Sequence, residues 1–133
     1  FIGQRERFSE GLQQAMSAAE EKSPTAPQIM LWICLSYGGR ADIVQAARSL
    51  AHDGVEITEE SLAGRLWSAT SPGMPDPDLI IRSGGEHRLS NFLSWQGAYS
   101  ELFFPTVYWP AFTPKDLDDV LEEYAQRERR MGK

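Results

Sequence analysis

The fold is decided by Asp78-Leu79-Ile80-Ile81-Arg82-Ser83-Gly84-Gly85, where a short apolar run meets an arginine and a pair of glycines. The run is too short for a stable helix of its own, and such a run is typical of a strand buried on both faces of a parallel sheet. Residues 28–35 form a second apolar run, which leads into Tyr37-Gly38-Gly39-Arg40. The repetition indicates an α/β sheet.

Helical patterns separate and follow these two strand patterns. The final helix is the clearest, because Thr113, Pro114 and Asp116 supply an N-cap, a proline in the first turn and an early acid. A last short strand is predicted at residues 107–109. The other predicted helices begin at Ser9, after Arg40, at Thr58 and at Ser90 or Asn91. The first of these has an inner face of Leu12, Ala15, Met16 and Ala19. The inner face of the second is Ile43, Ala47 and Leu50, and that of the third is Leu62, Leu66 and Trp67. We predict one domain over residues 1–133, with a central, mostly parallel sheet flanked by helices.

The composition limits the kinds of partner that the chain can bind. The 133 residues are 41% hydrophobic and 24% charged, which is typical of a globular domain, and no run has the length of a membrane span. The net charge of −6 argues against general nucleic-acid binding, since that needs a broad basic surface. The single Cys34 has no partner for a disulfide, so we expect a reduced, cytoplasmic setting. Any anion site must therefore be local.

Arg82, Arg88 and Ser90 are the candidates for that anion site. Ligands of open α/β sheets bind beyond the carboxyl ends of the strands, where this segment is expected to lie, and glycines there let backbone amides approach an anion. Two guanidinium groups and a hydroxyl would suit a diphosphate. The alternative is that the arginines make ordinary surface ion pairs with Glu86 or Asp78. The segment does not match the Walker pattern for nucleotide triphosphates.

Glu101 and His87 are the candidates for a metal site. Glu101 lies in Tyr99-Ser100-Glu101-Leu102-Phe103-Phe104, and a carboxylate among aromatic residues needs a cation or a hydrogen-bond donor to satisfy it. One glutamate beside a diphosphate is sufficient for Mg²⁺ if another acid comes from elsewhere. The alternatives are a glutamate exposed at a helix end, and a histidine that acts as an acid or is merely part of a loop.

A longer stretch carries a family resemblance. The residues from Asp78 to Phe104, DLIIRSGGEHRLSNFLSWQGAYSELFF, resemble the C-terminal signature of cis-prenyltransferases of the undecaprenyl diphosphate synthase type. The similarity continues through Tyr37-Gly38-Gly39-Arg40, Tyr108-Trp109-Pro110 and Arg127-Glu128-Arg129-Arg130-Met131-Gly132. The resemblance implies the fold of that family and a Z-type condensation of isopentenyl diphosphate with an allylic diphosphate, such as farnesyl diphosphate, to give a polyprenyl diphosphate.

The resemblance also implies roles for single residues. Arg82, Arg88 and Ser90, with the backbone around Leu89, would hold the diphosphate of isopentenyl diphosphate, and Glu101 would bind Mg²⁺. It further implies that His87 lies at a subunit interface beside substrate and can join the metal site of the neighbouring protomer. Arg130 and Gly132 would reach the substrate of a partner subunit, so a homodimer is expected. The lipid product implies transient contact with a membrane surface.

The sequence departs from the family in three places. Ala111 stands where the family usually has Asp, and Ser36 stands where it usually has Asn. The family's Asp-Gly-Asn-Gly-Arg loop, which carries the catalytic aspartate, has no counterpart, and the chain begins without a methionine. We therefore expect the C-terminal portion of a catalytic domain. Two alternatives stay open: a non-catalytic subunit of a heteromeric cis-prenyltransferase, and a phosphate-binding interaction domain.

Overall fold

A computed structural model describes residues 1–69 and 73–127. The chain divides into two compact units, Phe1–Met74 and Pro75–Lys133, and each is described by itself. The expectation of one domain stays a prediction. Arg130 and Gly132, which the resemblance assigned to a partner's substrate, lie outside the described residues. In the described part of the chain, no helix is long and apolar enough to cross a membrane.

The first unit is mainly helical and contains α1 (Glu10–Glu21), α2 (Gly39–His52) and α3 (Glu59–Ala63). All three were predicted, and Thr58 caps α3 with a hydrogen bond from the Ser61 backbone N–H. The α3 helix ends before Leu66 and Trp67, and Trp67–Ala69 forms a 3-10 turn instead.

The inner face of α2 differs from the predicted face of Ile43, Ala47 and Leu50. The fully buried residues are Gly39, Asp42, Ala46 and Leu50, so of the predicted face only Leu50 is fully buried. The carboxylate of Asp42 explains why the buried face of α2 differs from the predicted one. It accepts hydrogen bonds from Tyr37 Oη at 3.2 Å, Gln45 Nε2 at 3.1 Å and the Trp67 backbone N–H at 2.8 Å. A hydrophobic pattern alone could not have placed a carboxylate on the buried side.

The prediction of a doubly buried strand at residues 28–35 is wrong. Ile29 is 86% exposed and Leu31 is 76% exposed. The segment makes a single parallel bridge, between Ile2 and Cys34, with the Ile2 backbone N–H donating to Ile33 O at 3.0 Å. No other described segment pairs with it, so Ile29 and Leu31 stay at the surface. Met30 and Trp32, which alternate with them, are half-buried.

Ser36 adopts a left-handed backbone conformation with φ of 48°. Asparagine is favoured in that conformation over serine, which agrees with the asparagine that the family usually carries there. We expect Ser36→Asn to raise the free energy of unfolding by about 0.5–1 kcal/mol. Urea denaturation of the two proteins measures the difference. The matched control is Ser17→Asn in helix α1, where the backbone is helical and no gain is expected; an equal gain at both sites would refute the conformational explanation.

The second unit contains a parallel strand pair, β1 (Leu79–Ile81) and β2 (Glu101–Phe103), followed by α4 (Pro114–Gln126). Leu79 pairs with Glu101 and Ile81 with Phe103. The buried side chains of this unit are Ile80, Leu93, Gln96, Phe103 and Val120. Helix α4 begins as predicted, with Thr113 and Asp116 forming a reciprocal capping box. The hydrogen bonds from Thr113 lower the pKa of Asp116, which stabilises the negative charge at the helix N-terminus.

Two sequence predictions fail in the second unit. The last strand was expected at residues 107–109, but Trp109–Ala111 forms a 3-10 turn and the strand that pairs with β1 is β2. A short helix was expected from Ser90 or Asn91, but residues 90–99 form turns and bends. The reason is conformational, since Ser90, Asn91 and Leu93 have φ values of 48°, 67° and 46°, which a right-handed helix excludes. The α/β class is confirmed.

Candidate functional site

The loop that follows β1 is held by hydrogen bonds to the segment that follows β2. The backbone N–H of Gly84 donates to Val107 O at 2.8 Å, and that of Gly85 donates to Pro105 O at 2.9 Å. Both glycines have positive φ values, 94° and 72°, which L side chains rarely adopt. We had expected these glycine amides to approach an anion. They are instead bonded to carbonyl groups, and they fix the path of the loop.

Arg82 and Ser90 meet at the far end of this loop. Arg82 Nη1 donates to Ser90 Oγ at 2.9 Å and also to the carbonyl oxygen of Arg88. The backbone N–H groups of Leu89 and Ser90 donate to no group within residues 1–69 and 73–127. A guanidinium group, a hydroxyl and two backbone N–H groups are therefore gathered on one short segment, and such a set of donors suits an anion.

The side chain of Arg88 forms an ion pair with Glu86. This is one of the surface pairs that the sequence left open as an alternative. The two side chains are 61% and 51% exposed, so the pair contributes at most about 1 kcal/mol and a phosphate group can displace Glu86. Arg88 stays a candidate for anion binding through its side chain, while its carbonyl oxygen already anchors Arg82.

Glu101 is bound by Arg127, a partner that the sequence analysis did not assign. Arg127 Nη1 donates to Glu101 Oε2 at 2.7 Å, and its Nη2 donates to Glu123 Oε1 at 2.6 Å. The hydrogen bonds that Arg127 donates, first to Glu101 and then to Glu123, raise the pKa of Arg127. The sequence analysis expects a cation or a hydrogen-bond donor for a carboxylate in this aromatic stretch, and Arg127 supplies both. The sequence did not indicate that Arg127 is the donor.

His87 lies beside Phe104, with ring centroids 4.9 Å apart and planes inclined by 27°. Among the residues that the structure describes, no group of three or more His, Cys, Asp or Glu side chains could hold a metal ion. Glu101 nevertheless fits one position of a Mg²⁺ site, because Oε1 accepts no hydrogen bond from the described residues and Mg²⁺ prefers oxygen ligands. The metal role of His87 stays a prediction.

The predicted site residues therefore fall into two groups. Arg82, Ser90 and the backbone of Arg88 and Leu89 form one cluster of hydrogen bonds, with N–H donors that have no acceptor among the described residues. Glu101 belongs to a second cluster, with Arg127 and Glu123. This arrangement defines an α/β protein with a candidate anion-binding loop beyond the end of a parallel strand.

Comparison with known proteins identifies the family within that class. The prenyltransferase family model described as undecaprenyl diphosphate synthase matches residues 1–132, and the chain belongs to this family. The isoprenyl transferase of Neisseria meningitidis serogroup B is 47% identical over 133 residues, covering 99% of this chain and 52% of the relative. A Xanthomonas axonopodis pv. citri protein named ditrans,polycis-undecaprenyl-diphosphate synthase, (2E,6E)-farnesyl-diphosphate specific, is 45% identical over 139 residues, covering 99% and 53%.

Solved structures agree with this assignment. The chain superposes on lavandulyl diphosphate synthase from Lavandula x intermedia, crystallised with dimethylallyl diphosphate, with a TM-score of 0.91 and 38% identity over 99% of this chain and 58% of that one. A probable undecaprenyl diphosphate synthase from Campylobacter jejuni gives a TM-score of 0.87 and 32% identity over 99% and 61%. The predicted fold family is confirmed. The chain spans about half the length of the curated relatives that it matches.

Proposed function

We propose that this chain supplies the isopentenyl diphosphate site of a Z-type prenyltransferase, which condenses that substrate with an allylic diphosphate such as farnesyl diphosphate. The observation that carries the proposal is the contact of Arg82 with Ser90 beside the N–H groups of Leu89 and Ser90, which donate to no acceptor in the part of the chain that the structure describes. The names of the relatives support it, since one is an isoprenyl transferase and another is specific for farnesyl diphosphate. We further propose that the chain is the C-terminal portion of the catalytic domain and works as a homodimer.

The loop binds the diphosphate by replacing weak contacts within the protein with stronger contacts to phosphate oxygens. Arg82 is already oriented by Ser90 and by the Arg88 carbonyl, so little side-chain freedom is lost when a phosphate oxygen arrives. Arg88 leaves its exposed ion pair with Glu86 and binds the substrate instead. Each charge-assisted hydrogen bond contributes about 1.5–3 kcal/mol. Charge neutralisation and positioning are thus the tasks of this loop.

In the proposed reaction, the bond between the allylic carbon and its diphosphate breaks, and the double bond of isopentenyl diphosphate forms the new carbon–carbon bond. A proton then leaves to give a Z alkene. Glu101 would hold Mg²⁺ through Oε1, and the bound ion would stabilise negative charge on the diphosphate. Arg82, Ser90 and Leu89 keep the isopentenyl diphosphate fixed while the allylic carbon is attacked.

The function is tested by incubating the intact protein with farnesyl diphosphate, labelled isopentenyl diphosphate and Mg²⁺. A butanol-extractable polyprenyl product is expected from the protein alone. A product that forms only when a second subunit is added would instead identify the protein as one half of a heteromeric enzyme. Binding of isopentenyl diphosphate without any product, with or without a partner, would identify a phosphate-binding domain.

Arg88→Ala in the intact protein is expected to raise the Michaelis constant for isopentenyl diphosphate about tenfold. The effect is placed at the lower end of the range for one charge-assisted bond, because the wild-type arginine must first leave Glu86. Steady-state kinetics at saturating allylic substrate measure it. Arg65→Ala is the matched control, since Arg65 also forms a single exposed pair, with Asp53, and lies in the other unit. Unchanged kinetics in Arg88→Ala would remove Arg88 from the site.

A further inference from the structure

Arg127 connects the end of helix α4 to strand β2. It is the residue that ends the helix, and its backbone N–H donates to Tyr124 O at 3.2 Å. Its side chain contacts three successive residues of β2: Nη1 donates to Glu101 Oε2 at 2.7 Å and to Leu102 O at 3.3 Å, and the guanidinium carbon lies 4.0 Å from the Phe103 ring centroid. Residues 101 and 103 share one face of the strand, so a single guanidinium group covers that face.

These contacts fix the position of the Glu101 carboxylate. Oε2 is held by Arg127, whereas Oε1 accepts no hydrogen bond from any residue within 1–69 and 73–127. Carboxylates that bind metals are commonly oriented in this way, by a hydrogen bond to one oxygen that leaves the other for the ion. The side chains of Arg127 and Glu101 are only 33% and 27% exposed, so the pair is shielded from solvent better than the Arg88–Glu86 pair is.

A guanidinium group beside a proposed cation site also repels the cation, and Glu123 offsets this repulsion. Arg127 Nη2 donates to Glu123 Oε1 at 2.6 Å, so two carboxylates share one guanidinium group. The three side chains together carry a net charge of −1, obtained as two negative charges and one positive charge. The cluster therefore stays attractive to a divalent cation while Arg127 holds Glu101 in place.

We propose that Arg127 is a positioning residue, which holds Glu101 so that one carboxylate oxygen is available to the divalent cation of the reaction. This inference rests on the proposed function, because it concerns the cation that Glu101 would bind. Arg127 itself touches neither substrate nor metal. It acts through Glu101, and it does so from the C-terminal end of the last described helix.

The test measures Mn²⁺ binding to the intact protein by electron paramagnetic resonance, in the presence of isopentenyl diphosphate and without turnover. Arg127→Met, which keeps a long apolar side chain but removes the guanidinium group, is expected to weaken Mn²⁺ binding about tenfold. Arg127→Lys is expected to fall between Met and wild type, since an ammonium group can hold Glu101 but cannot also bind Glu123 in a fixed fork. The Mg²⁺ concentration for half-maximal activity should rise in the same order.

Two controls separate positioning from folding. Lys115→Met removes an exposed ion pair with Asp119 from the same helix and is expected to bind Mn²⁺ within about twofold of wild type. Glu123→Gln leaves Glu101 bonded to Arg127 but removes the negative charge that offsets the guanidinium group, so it is expected to bind Mn²⁺ more weakly than Lys115→Met without unfolding. Thermal unfolding of every variant shows which changes come from lost stability.

The outcomes distinguish this inference from the function on which it rests. If wild type binds Mn²⁺ and Arg127→Met binds it equally well or more tightly, the positioning role is overturned and the proposed function stands. A melting temperature lowered in Arg127→Met without any change in Mn²⁺ affinity leads to the same conclusion. If wild type binds no Mn²⁺ even with isopentenyl diphosphate, the metal-dependent function is overturned and the inference with it.

Discussion

Arg82→Ala in the intact protein is expected to raise the Michaelis constant for isopentenyl diphosphate about a hundredfold. The loss is larger than for Arg88 because Arg82 forms no ion pair with a carboxylate of the described residues, and because it also anchors Ser90 and the Arg88 carbonyl. Removing it deletes one donor and releases the segment that carries the other donors. Steady-state kinetics with isopentenyl diphosphate as the varied substrate measure the change.

Arg82→Lys and Ser90→Ala refine this test. Lysine keeps the charge and can replace the two bonds that Arg82 Nη1 makes, but it lacks the planar fork of donors that suits a phosphate group, so a rise of about tenfold is expected to persist. Ser90→Ala removes one neutral acceptor and is expected to cost about threefold to tenfold. If Arg82→Ala changed the turnover number but not this Michaelis constant, the diphosphate would have to bind elsewhere.

Asp42→Ala is expected to lower the free energy of unfolding by about 3 kcal/mol. Asp42 is 1% exposed, and its carboxylate accepts hydrogen bonds from Tyr37, Gln45 and the Trp67 backbone. Alanine leaves these donors without their acceptor and creates a small cavity beneath α2. Urea denaturation, with an unchanged slope, measures the loss.

Asp42→Asn separates the charge of this residue from its shape. Asparagine keeps one acceptor oxygen, so we expect it to lose about 1 kcal/mol, well below the loss in alanine. Asp119→Ala serves as the control, because the Asp119 side chain is 58% exposed and its pair with Lys115 lies on the surface of α4. A loss in Asp42→Ala no greater than in Asp119→Ala would mean that the buried carboxylate does not hold α2 in place.

Local signals predicted the helices well. Thr58 and Thr113 are N-caps whose side chains bond the backbone three residues ahead, and this interaction depends only on neighbouring residues. Strand β1 was equally readable, since its apolar residues precede an arginine and two glycines. These elements follow from short-range chemistry, so the sequence contains most of what determines them.

The failures arose where partners distant in the sequence decide the structure. Residues 28–35 have the composition of a buried strand, but burial requires neighbouring strands, and the described residues provide only Ile2. Strand β2 was missed because its first residue, Glu101, is charged, and its pairing with β1 is what makes it a strand. The positive φ values at Ser90 and Leu93 likewise come from the loop path, since neither residue type favours them as Asn91 does.

The candidate site shows the same difference between contacts within one segment and contacts between distant segments. Arg82 and Ser90 are eight positions apart in one loop, and their proximity was predicted from the segment itself. Arg127 lies 26 positions from Glu101 and reaches it because the tertiary fold brings the end of α4 close to β2. Sequence reasoning expected a cation or a hydrogen-bond donor for Glu101 but could not choose among the residues of the chain that could supply it.

The parallel pairing of β1 with β2 has a consequence for the energetics of ligand capture. Parallel neighbours cannot be joined by a tight hairpin, so the connection between Ile81 and Glu101 is long and contains every donor of the loop. Part of its conformational entropy is lost when the strands pair, and more is lost when the loop bonds to the segment after β2, before any ligand is present. The loop is therefore ordered in advance by folding, and under the proposed function a diphosphate would have little left to immobilise.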